Sequence, residues 1–237
     1  MNKPCAVVLT GAGISAESGL QTFRDAGGLW EGYSIYEVAT PEAWERQPQV
    51  VLDFYNWRRE QLLAVQPNKA HQLVMQLETV YDVQIITQNV DDLHERAGSR
   101  SVLHLHGALR QVRCTKPGHS EIIPWDGPLT LLDTCSAGHP LRPHIVWFGE
   151  EVPAMTHAIS KMPEADLLII IGTSLQVYPA AGLTGYVRPD CRIYYIDPNP
   201  ADSYELRHLN PTIIQSTAVA GMETLYQLLN LPKPDSR

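Results

Sequence analysis

The sequence predicts an α/β fold: a doubly wound parallel sheet of the Rossmann-like type with a small module inserted into it. Four short apolar runs have the continuous hydrophobicity of strands that are buried on both faces. These runs cover residues 6–10, 83–87, 167–171 and 192–196. Helical patterns separate the runs, as parallel strands require. A stretch from about 110 to 143 is rich in Gly, Pro, Cys, His and Thr and shows little periodicity, so we expect it to be the inserted module.

Composition limits the classes of protein to consider. The 237 residues include 18 Lys and Arg against 26 Asp and Glu, a net charge of −8. This sign argues against direct nucleic-acid binding and favours basic partners such as lysine-rich protein segments. The apolar runs are too short to span a bilayer and no cleavable leader precedes the first strand, so we expect a cytoplasmic protein without a membrane partner. Four scattered cysteines do not suggest a disulfide framework.

The first strand runs into GAGISA, which has the form of a nucleotide-phosphate cradle. Its glycines allow a tight turn and a close approach to a diphosphate, and the free amides at a helix start favour an anion. An ordinary strand-to-turn connection is the alternative. The next loop favours a ligand, because an ordinary connection has little use for an arginine and two aromatic side chains among small flexible residues. The loop contains Thr22, Phe23, Arg24 and Asp25, and Trp30 follows.

The fingerprint also departs from that of a dehydrogenase. Its third position is Ala16, and no strand ends in an acidic residue about 20 residues later to bind the ribose hydroxyls. A hydride-transfer enzyme is therefore a disfavoured alternative.

The other strand endings are expected to meet this turn. Beyond the apolar runs the chain continues as QNVDD, GTSLQV and DPNP. Ligands of open α/β sheets bind beyond the carboxyl ends of the strands, so these endings should form one crevice. Helices are predicted over 41–65, 67–78 and 219–229, and the strand-like TIIQS precedes the last of them.

Taken together, these motifs resemble those of the sirtuins, the NAD-dependent protein-lysine deacylases. The resemblance covers about residues 7–221 and rests on GAGISAESGLQTFRDAGGLW, TQNVDDLHERAG, HLHG, LRPHIVWFGE, GTSLQV and DPNP. It implies one catalytic domain over residues 1–237, in which NAD and an acylated lysine of a protein meet between the sheet and a small zinc-containing, zinc-ribbon-like module at 108–145. The implied reaction transfers the acyl group to ADP-ribose and releases nicotinamide. A mono-ADP-ribosyltransferase and a non-catalytic NAD or ADP-ribose sensor on the same fold are the alternatives.

The resemblance assigns the catalytic role to His106, whose neutral imidazole would accept a proton from a ribose hydroxyl. A hydrogen-bonded loop histidine is the alternative. His104, two residues earlier, receives no role. Asp91 is expected to bind the nicotinamide carboxamide beside Gln88 and Asn89, although Asn89 and Asp91 also suit a helix cap.

The resemblance implies a larger set of NAD contacts along the strand endings. A loop with Phe23 and Arg24 is expected to cover the cofactor, and Ala218 to let the adenine ring approach closely. A structural turn is the alternative at the last five positions of the set. The set is Gly11, Ala12, Gly13, Ser15, Ala16, Thr22, Phe23, Arg24, Trp30, Gln88, Asn89, Asp91, Gly172, Thr173, Ser174, Asn199 and Ala218.

Tyr55 and Arg58 are spaced i, i+3 on a predicted helix and share one face. The pair resembles the signature of sirtuins that remove acidic acyl chains, since an arginine fork and a phenol suit the carboxylate of a succinyl or malonyl group. We therefore expect succinyl and malonyl removal to be more efficient than acetyl removal. A solvated helix face is the alternative, because Arg59 and Glu60 look like surface residues.

The motif VWFGE matches the strand-like segment that pairs with the substrate backbone in the family. The predicted substrate contacts in it are Val146, Trp147, Phe148 and Gly149.

The metal module departs from the family pattern of two CxxC pairs. Cys114 and Cys135 remain, but Pro117 and Gly138 occupy the partner positions. Structural zinc normally takes four protein ligands. His119 and His139 have spacings that would complete a Cys2His2 set, an inference from the residues alone. Loss of the metal is the alternative.

Overall fold

A six-stranded parallel sheet forms the centre of the protein in a computed structural model that describes residues 3–21, 29–30, 33–201 and 204–232. In the order β11-β10-β9-β1-β4-β5, all neighbouring strands of this sheet are parallel. The described strands are β1 (Cys5–Thr10), β2 (Leu29–Trp30), β3 (Tyr33–Ser34), β4 (Asp82–Thr87), β5 (Val102–His104), β6 (Gly107–Cys114), β7 (Ile122–Pro124), β8 (Leu141–Ile145), β9 (Leu167–Ile171), β10 (Arg192–Ile196) and β11 (Thr212–Ile214).

Helices connect these strands on both faces of the sheet. They are α1 (Gly13–Ala16), α2 (Ile35–Val38), α3 (Pro41–Arg46), α4 (Pro48–Ala64), α5 (Lys69–Gln76), α6 (Leu93–Arg96), α7 (Met155–Lys161), α8 (Tyr204–Arg207) and α9 (Ala218–Leu228), with 3-10 turns at Leu77–Thr79, Met162–Glu164 and Ala180–Tyr186. No described helix has the length and apolar character that crossing a membrane requires.

Apolar side chains cover both faces of the sheet, as the doubly wound prediction requires. Val8 of β1 packs in one cluster with residues of α5 and α9. Leu9, the next residue, packs in a second cluster with residues of α7 and the turn at Ala180–Tyr186. Successive side chains of a strand point to opposite faces, so a strand between two helical layers must be apolar throughout. The four predicted strands and the strand at TIIQS are confirmed.

The predicted helix at 41–65 is two helices. Thr40 caps the first, its Oγ1 accepting from the Ala43 amide at 3.1 Å. The helix ends at Gln47, whose φ of −147° lies outside the helical range, and α4 begins at Pro48. A residue that precedes proline is biased away from helical dihedrals, and proline fits the first helical position. The chain therefore turns between α3 and α4.

The stretch that lacks clear periodicity contains a second sheet. Strands β7, β6 and β8 pair antiparallel in that order. The weak periodicity of the sequence did not indicate where these strands lie. These strands are short and partly exposed, and β6 changes register between Gly107 and Val112, so the alternation of polar and apolar residues is weak.

Helix α4 anchors this second sheet to the rest of the protein. The Arg59 Nε donates to the Leu109 carbonyl at 2.8 Å, and its Nη1 donates to the Gly127 carbonyl at 3.2 Å. Asn56 forms two hydrogen bonds with the backbone of Leu129, at 2.8 and 2.9 Å. The expectation that Arg59 is a surface residue is wrong, because its side chain is 1% exposed. Burial lowers the pKa of Arg59 to about 10.

Candidate active site

Strands β1 and β9 end in turns that contact each other at the carboxyl edge of the sheet. The Gly11 amide donates to the Ile171 carbonyl at 3.0 Å, and the Gly13 amide donates to the Gly172 carbonyl at 2.9 Å. A Cβ on Gly13 would lie 2.6 Å from the Gly172 Cα, and Gly172 has a left-handed φ of +62°. Side chains at these two positions would push the turns apart. The predicted convergence of these strand endings is confirmed.

The ending of β4 adds a buried polar cluster to this edge. The Asn89 Nδ2 donates to the Gly11 carbonyl at 3.1 Å, and the Ser15 hydroxyl donates to Asp91 Oδ2 at 2.9 Å. Asp91 Oδ1 accepts from the amide of Leu93, the first residue of α6. Burial raises the pKa of Asp91, while the bonds from Leu93 and Ser15 oppose that shift. The helix-cap role considered for Asp91 and a role in binding a ligand are compatible.

Two buried histidines lie behind this cluster. His71 Nε2 is 3.5 Å from the Ser15 hydroxyl, and His94 Nε2 is 3.1 Å from the Thr10 hydroxyl, which donates to Thr87. The two imidazole rings meet edge to face at 5.0 Å. Burial lowers the pKa of His71 to about 4 and that of His94 well below its usual range. Both rings are therefore neutral at physiological pH.

His106 follows β5 and faces the ending of β4. Its Nδ1 lies 2.9 Å from the backbone carbonyl oxygen of Gln88. A carbonyl oxygen can only accept, so Nδ1 carries the hydrogen and Nε2 of the neutral ring keeps a lone pair. Burial lowers the pKa of His106, and the bond to Gln88 opposes that shift in part. His106 is therefore a neutral base. Its Nδ1 holds the ring in place, and its Nε2 is the atom that can accept a proton.

His104, to which the sequence assigns no role, is the last residue of β5 and pairs with Glu95 of α6. Its Nε2 is 2.7 Å from Glu95 Oε1, and its Nδ1 is 3.0 Å from the Asn89 carbonyl oxygen. Burial lowers the pKa of His104, but the hydrogen bond and charge of Glu95 outweigh burial, and the net shift is upward. His104 and His106 thus have opposite electrostatic surroundings.

The predicted contacts of the ribose and adenine of NAD lie largely at the endings of β9 and β10. The Gln88 Nε2 donates to Thr173 Oγ1 at 2.9 Å, and the Tyr195 hydroxyl donates to the Thr173 carbonyl at 2.8 Å. The Asn199 amide donates to Asp197 Oδ1 at 2.8 Å. The half-buried Ser174 follows Thr173, and Ala218 is the first residue of α9 and 4% exposed.

Other predicted residues flank the first turn or fall outside the structure's description. Ala12 immediately precedes α1 and Ala16 ends it. Thr22, Phe23 and Arg24 lie outside the described residues, and of Trp30 the backbone alone is described, in β2.

Tyr55 and Arg58 lie on the inner side of α4. Tyr55 is fully buried, and its hydroxyl accepts a hydrogen bond from the Trp147 Nε1 at 3.0 Å. Burial raises the pKa of Tyr55, although the charge of Arg58 lowers it. Arg58 is half-buried, and its guanidinium lies 5.9 Å from the centre of the Phe54 ring. The pair does not form the solvated helix face that was the alternative.

The VWFGE segment follows β8 and ends in a turn at 148–149. Its pairing with the backbone of a substrate stays a prediction. The amides of Val146 and Phe148 donate to the carbonyls of His106 and Ala39, and the Glu150 amide donates to the Trp147 carbonyl at 3.0 Å. Gly149 has a left-handed φ of +91°, which a strand does not use. Phe148 is 42% exposed, whereas Trp147 is 2% exposed and faces the core.

Four candidate metal ligands come together in the second sheet. The ligand atoms of Cys114, His119, Cys135 and His139 all lie within 4.8 Å of one another. Cys135 Sγ is 3.8 Å from His119 Nδ1 and 3.6 Å from His139 Nδ1. Two thiols and two imidazoles at this spacing fit a tetrahedral zinc ion, with ligand types that zinc prefers. The donor set is the Cys2His2 set that the spacing predicts.

Sequence reasoning missed the supporting residues of the site. His71 and His94 occur in PNKAH and DDLH, and each lies on a short helix with a polar partner from another strand or turn. Arg142 and Glu150, which hold Trp147, lie within the quoted motif LRPHIVWFGE but received no role from the sequence. His94 likewise lies within TQNVDDLHERAG, whereas the polar partners of His71 and His94 are distant in the chain.

Comparisons with known proteins agree with this geometry. The Sir2 family model matches residues 11–179. The chain is 56% identical over 219 residues to the NAD-dependent protein deacylase of Helicobacter pylori strain J99, covering 92% of both proteins. It is 49% identical over 233 residues to the enzyme of the same name from Bacteroides thetaiotaomicron, covering 96% of this chain and 98% of the relative. A solved complex of a Sir2 homologue with NAD superposes with a TM-score of 0.85 at 40% identity, covering 96% and 90% of the two chains.

Proposed function

Because the chain belongs to the Sir2 family and is an NAD-dependent protein deacylase, we propose that NAD binds in the cleft at the endings of β1, β4 and β9. We further propose that His106 is its catalytic base. The observation that carries this assignment is the bond between His106 Nδ1 and the Gln88 carbonyl at 2.9 Å, which leaves Nε2 of the neutral ring as the accepting atom.

The residues of the cleft fit a dinucleotide. Gly11, Gly13 and Gly172 pack so closely that a Cβ on any of them would clash with backbone atoms, which supports a turn whose main chain, not its side chains, faces the diphosphate. When bound, NAD supplies a glycosidic bond to a good leaving group, nicotinamide, and an electrophilic ribose carbon once that bond is broken. The protein supplies binding, orientation and a base.

Asp91 and Asn89 are proposed to hold the nicotinamide end. A carboxamide has an N–H2 that donates and an oxygen that accepts, and a carboxylate together with backbone N–H groups matches both. Asp91 is nearly buried, so its hydrogen bond to a ligand would be strong in a site of low dielectric. The Ser15 hydroxyl donates a hydrogen bond that fixes one carboxylate oxygen of Asp91. His71 contacts the Ser15 hydroxyl in turn.

His106 is proposed to take a proton from a ribose hydroxyl of bound NAD. Its pKa is lowered by burial, so the ring is neutral at pH 7 and its Nε2 can accept. A base whose pKa lies near or just below the working pH is the most useful one for proton transfer. The held Nδ1 keeps the ring in one orientation during that transfer.

The acyl chain is proposed to lie against Tyr55 and Arg58. A half-buried guanidinium next to a buried phenol supports an acyl group that ends in a carboxylate, because an arginine fork binds a carboxylate in a bidentate manner. We therefore propose that succinyl and malonyl groups are removed more efficiently than acetyl groups. Kinetic comparison of peptides that differ in this one acyl group tests the preference.

The substrates are lysines of proteins. The net charge of −8 supports attraction of lysine-rich segments and disfavours nucleic acids. We also propose that the enzyme works in the cytoplasm, since the thiols of Cys114 and Cys135 serve as metal ligands in their reduced form and a reducing compartment keeps them so.

Zinc is proposed for the second sheet, held by Cys114, His119, Cys135 and His139. The ion would cross-link loops that contain few buried apolar residues. Small metal modules need the free energy of metal binding in order to fold. No step of the deacylation is assigned to it.

Release of nicotinamide by the purified protein, with NAD and an acylated peptide, tests the proposed site. Dependence of that release on acyl-lysine separates a deacylase from an ADP-ribosyltransferase acting on another acceptor and from a sensor that turns nothing over.

A further inference from the structure

The two histidines of the HLHG motif bond to consecutive carbonyls after β4. The His106 Nδ1 lies 2.9 Å from the Gln88 carbonyl oxygen, and the His104 Nδ1 lies 3.0 Å from the Asn89 carbonyl oxygen. A carbonyl oxygen can only accept, so each Nδ1 carries a hydrogen and donates it. The two rings therefore hold two adjacent peptide groups of the same segment.

The second ring nitrogen gives His104 a different charge from His106. The His104 Nε2 lies 2.7 Å from Oε1 of Glu95 on α6. A carboxylate can only accept, so Nε2 must carry a hydrogen too, and a ring with two N–H groups is an imidazolium. Burial lowers the pKa of His104, but the hydrogen bond and charge of Glu95 raise it above its usual value. Burial raises the pKa of Glu95, but the hydrogen bond from His104 lowers it on balance.

Asn89 is held at its main chain and at its side chain. Its amide donates to Thr87 Oγ1 at 3.0 Å, and its Nδ2 donates to the Gly11 carbonyl at 3.1 Å and to the Ser15 hydroxyl at 3.3 Å. The bond from His104 adds a hold on the Asn89 carbonyl. The Glu95–His104 pair thus connects α6 to the main chain of a residue that is proposed to bind nicotinamide.

The charge of His104 also acts on Asp91. Burial raises the pKa of Asp91, and the positive charge of His104 is among the effects that oppose this shift. A carboxylate that is 7% exposed has lost most of its hydration, so a fixed cation in its surroundings favours the charged form. The charged form is the one that can only accept, as the N–H2 of a carboxamide requires.

We propose that His104, charged through its pair with Glu95, is a positioning residue for the nicotinamide end of NAD. It fixes the peptide group of Asn89 and supplies a positive charge that acts on the carboxylate of Asp91. This role differs from that of the neutral His106, which is proposed to take a proton. The inference rests on the proposed binding of nicotinamide by Asp91 and Asn89.

The effect is specific for one end of the dinucleotide. ADP-ribose has the diphosphate and adenine of NAD but lacks nicotinamide, so its binding does not need the charge of Asp91. A merely structural role of His104 as the last residue of β5 would weaken the binding of both ligands alike. A comparison of nicotinamide with ADP-ribose therefore separates the two roles.

The test uses His104→Gln, which can still donate a hydrogen bond but carries no charge, and Glu95→Gln, which removes the charge that keeps the ring protonated. The inhibition constant of nicotinamide in the deacylation assay and the Kd of ADP-ribose are measured at neutral pH. We expect each variant to raise the nicotinamide constant about fivefold to tenfold and to change the Kd of ADP-ribose by less than about twofold.

A double variant and two controls complete the series. In the Glu95→Gln background, His104→Gln should raise the nicotinamide constant by less than about twofold more, because the two residues act as one unit. His157→Gln and Glu223→Gln, at exposed positions of α7 and α9, are the matched controls and should leave both constants unchanged.

Three results would overturn the proposal: equal weakening of nicotinamide and ADP-ribose, an unchanged nicotinamide constant in both single variants, or independent losses that add in the double variant. If the variants fail to fold, nitrogen NMR of the histidine rings of intact wild type decides. His104 should have two protonated ring nitrogens at neutral pH, and a neutral ring would contradict the proposed charge.

Asp91→Asn tests the underlying function separately. An unchanged nicotinamide constant in that variant would contradict the proposed nicotinamide site. A raised constant in Asp91→Asn, together with no effect of His104→Gln, would contradict this inference and leave the proposed function standing.

Discussion

The His106 Nδ1 atom lies 2.9 Å from the backbone carbonyl oxygen of Gln88, and this contact decides which ring nitrogen can accept a proton. Gln88 follows β4 and His106 follows β5, so two adjacent parallel strands fix the geometry between them. Protonation of Nε2 would remove the base without breaking this contact. At low pH the His106 ring can therefore lose its function as a base while keeping its position.

The pH dependence of catalysis should follow His106. Burial lowers its pKa, so the neutral form persists below the ordinary value of about 6.5. We expect kcat/KM to be constant from neutral pH down to that value and to fall only at lower pH, because the base becomes protonated there. A pH–rate profile checks this. An acid limb centred above pH 6.5 would contradict the assignment.

Asp91→Asn should separate activity from stability. Burial raises the pKa of Asp91, so between the ordinary value of 3.8 and the raised one the folded protein holds a proton that the unfolded chain releases. Stability therefore falls as pH rises through that window. Asparagine carries no charge and can still bond to Ser15 and Leu93, so we expect a higher free energy of unfolding at pH 8.

Activity of the same variant should fall by at least about a hundredfold, since the amide lacks the carboxylate that binds nicotinamide. Urea unfolding at pH 8 and below pH 3.8 provides the stability comparison, because the gain should vanish where both forms are uncharged. A variant that is less stable than wild type at pH 8 would show that the buried charge stabilises the fold.

Arg58→Met should change the acyl preference. Removing the guanidinium deletes a charge-assisted bond to an acyl carboxylate, so we expect kcat/KM for a succinyl peptide to fall about thirtyfold to a hundredfold. The acetyl value should stay within about threefold, because a methyl group makes no such bond. Arg46→Met, at an exposed position in the last turn of α3, is the control. Equal losses on both peptides would refute the pocket assignment.

Zinc should be bound in a one-to-one ratio by the purified protein. We expect His139→Ala to lose most of the metal, and a chelator to lower the melting temperature of wild type by about 5–10 °C, since the ion cross-links the second sheet. His157→Ala, an exposed histidine on α7, is the control and should retain the metal. Metal analysis and thermal unfolding check both. Metal-free wild type with an unchanged melting temperature would contradict the site.

The sequence was most informative where one local pattern decides the structure. Continuous apolar runs identified β1, β4, β9 and β10, because a strand buried on both faces must be apolar throughout. The spacing of Cys114, His119, Cys135 and His139 also predicted the cluster that forms. These features depend on residues close together in the chain.

Features that depend on distant partners were not predictable from the sequence. The three residues of β5 carry too little pattern to mark a strand, and the path of 146–149 follows from contacts with Ala39 and His106. Arg59 resembled a surface residue because its neighbours in sequence are polar. Its burial requires carbonyl acceptors supplied some 50 residues and more further along the chain.

Nicotinamide release tests the central claim most directly, measured with purified protein, NAD, and acylated or unmodified forms of one peptide. We expect release to match deacylated peptide one to one, to need both NAD and the acyl group, and to be lost in His106→Ala while NAD still binds. Release that is independent of the acyl group, or that survives intact in His106→Ala, would contradict the account.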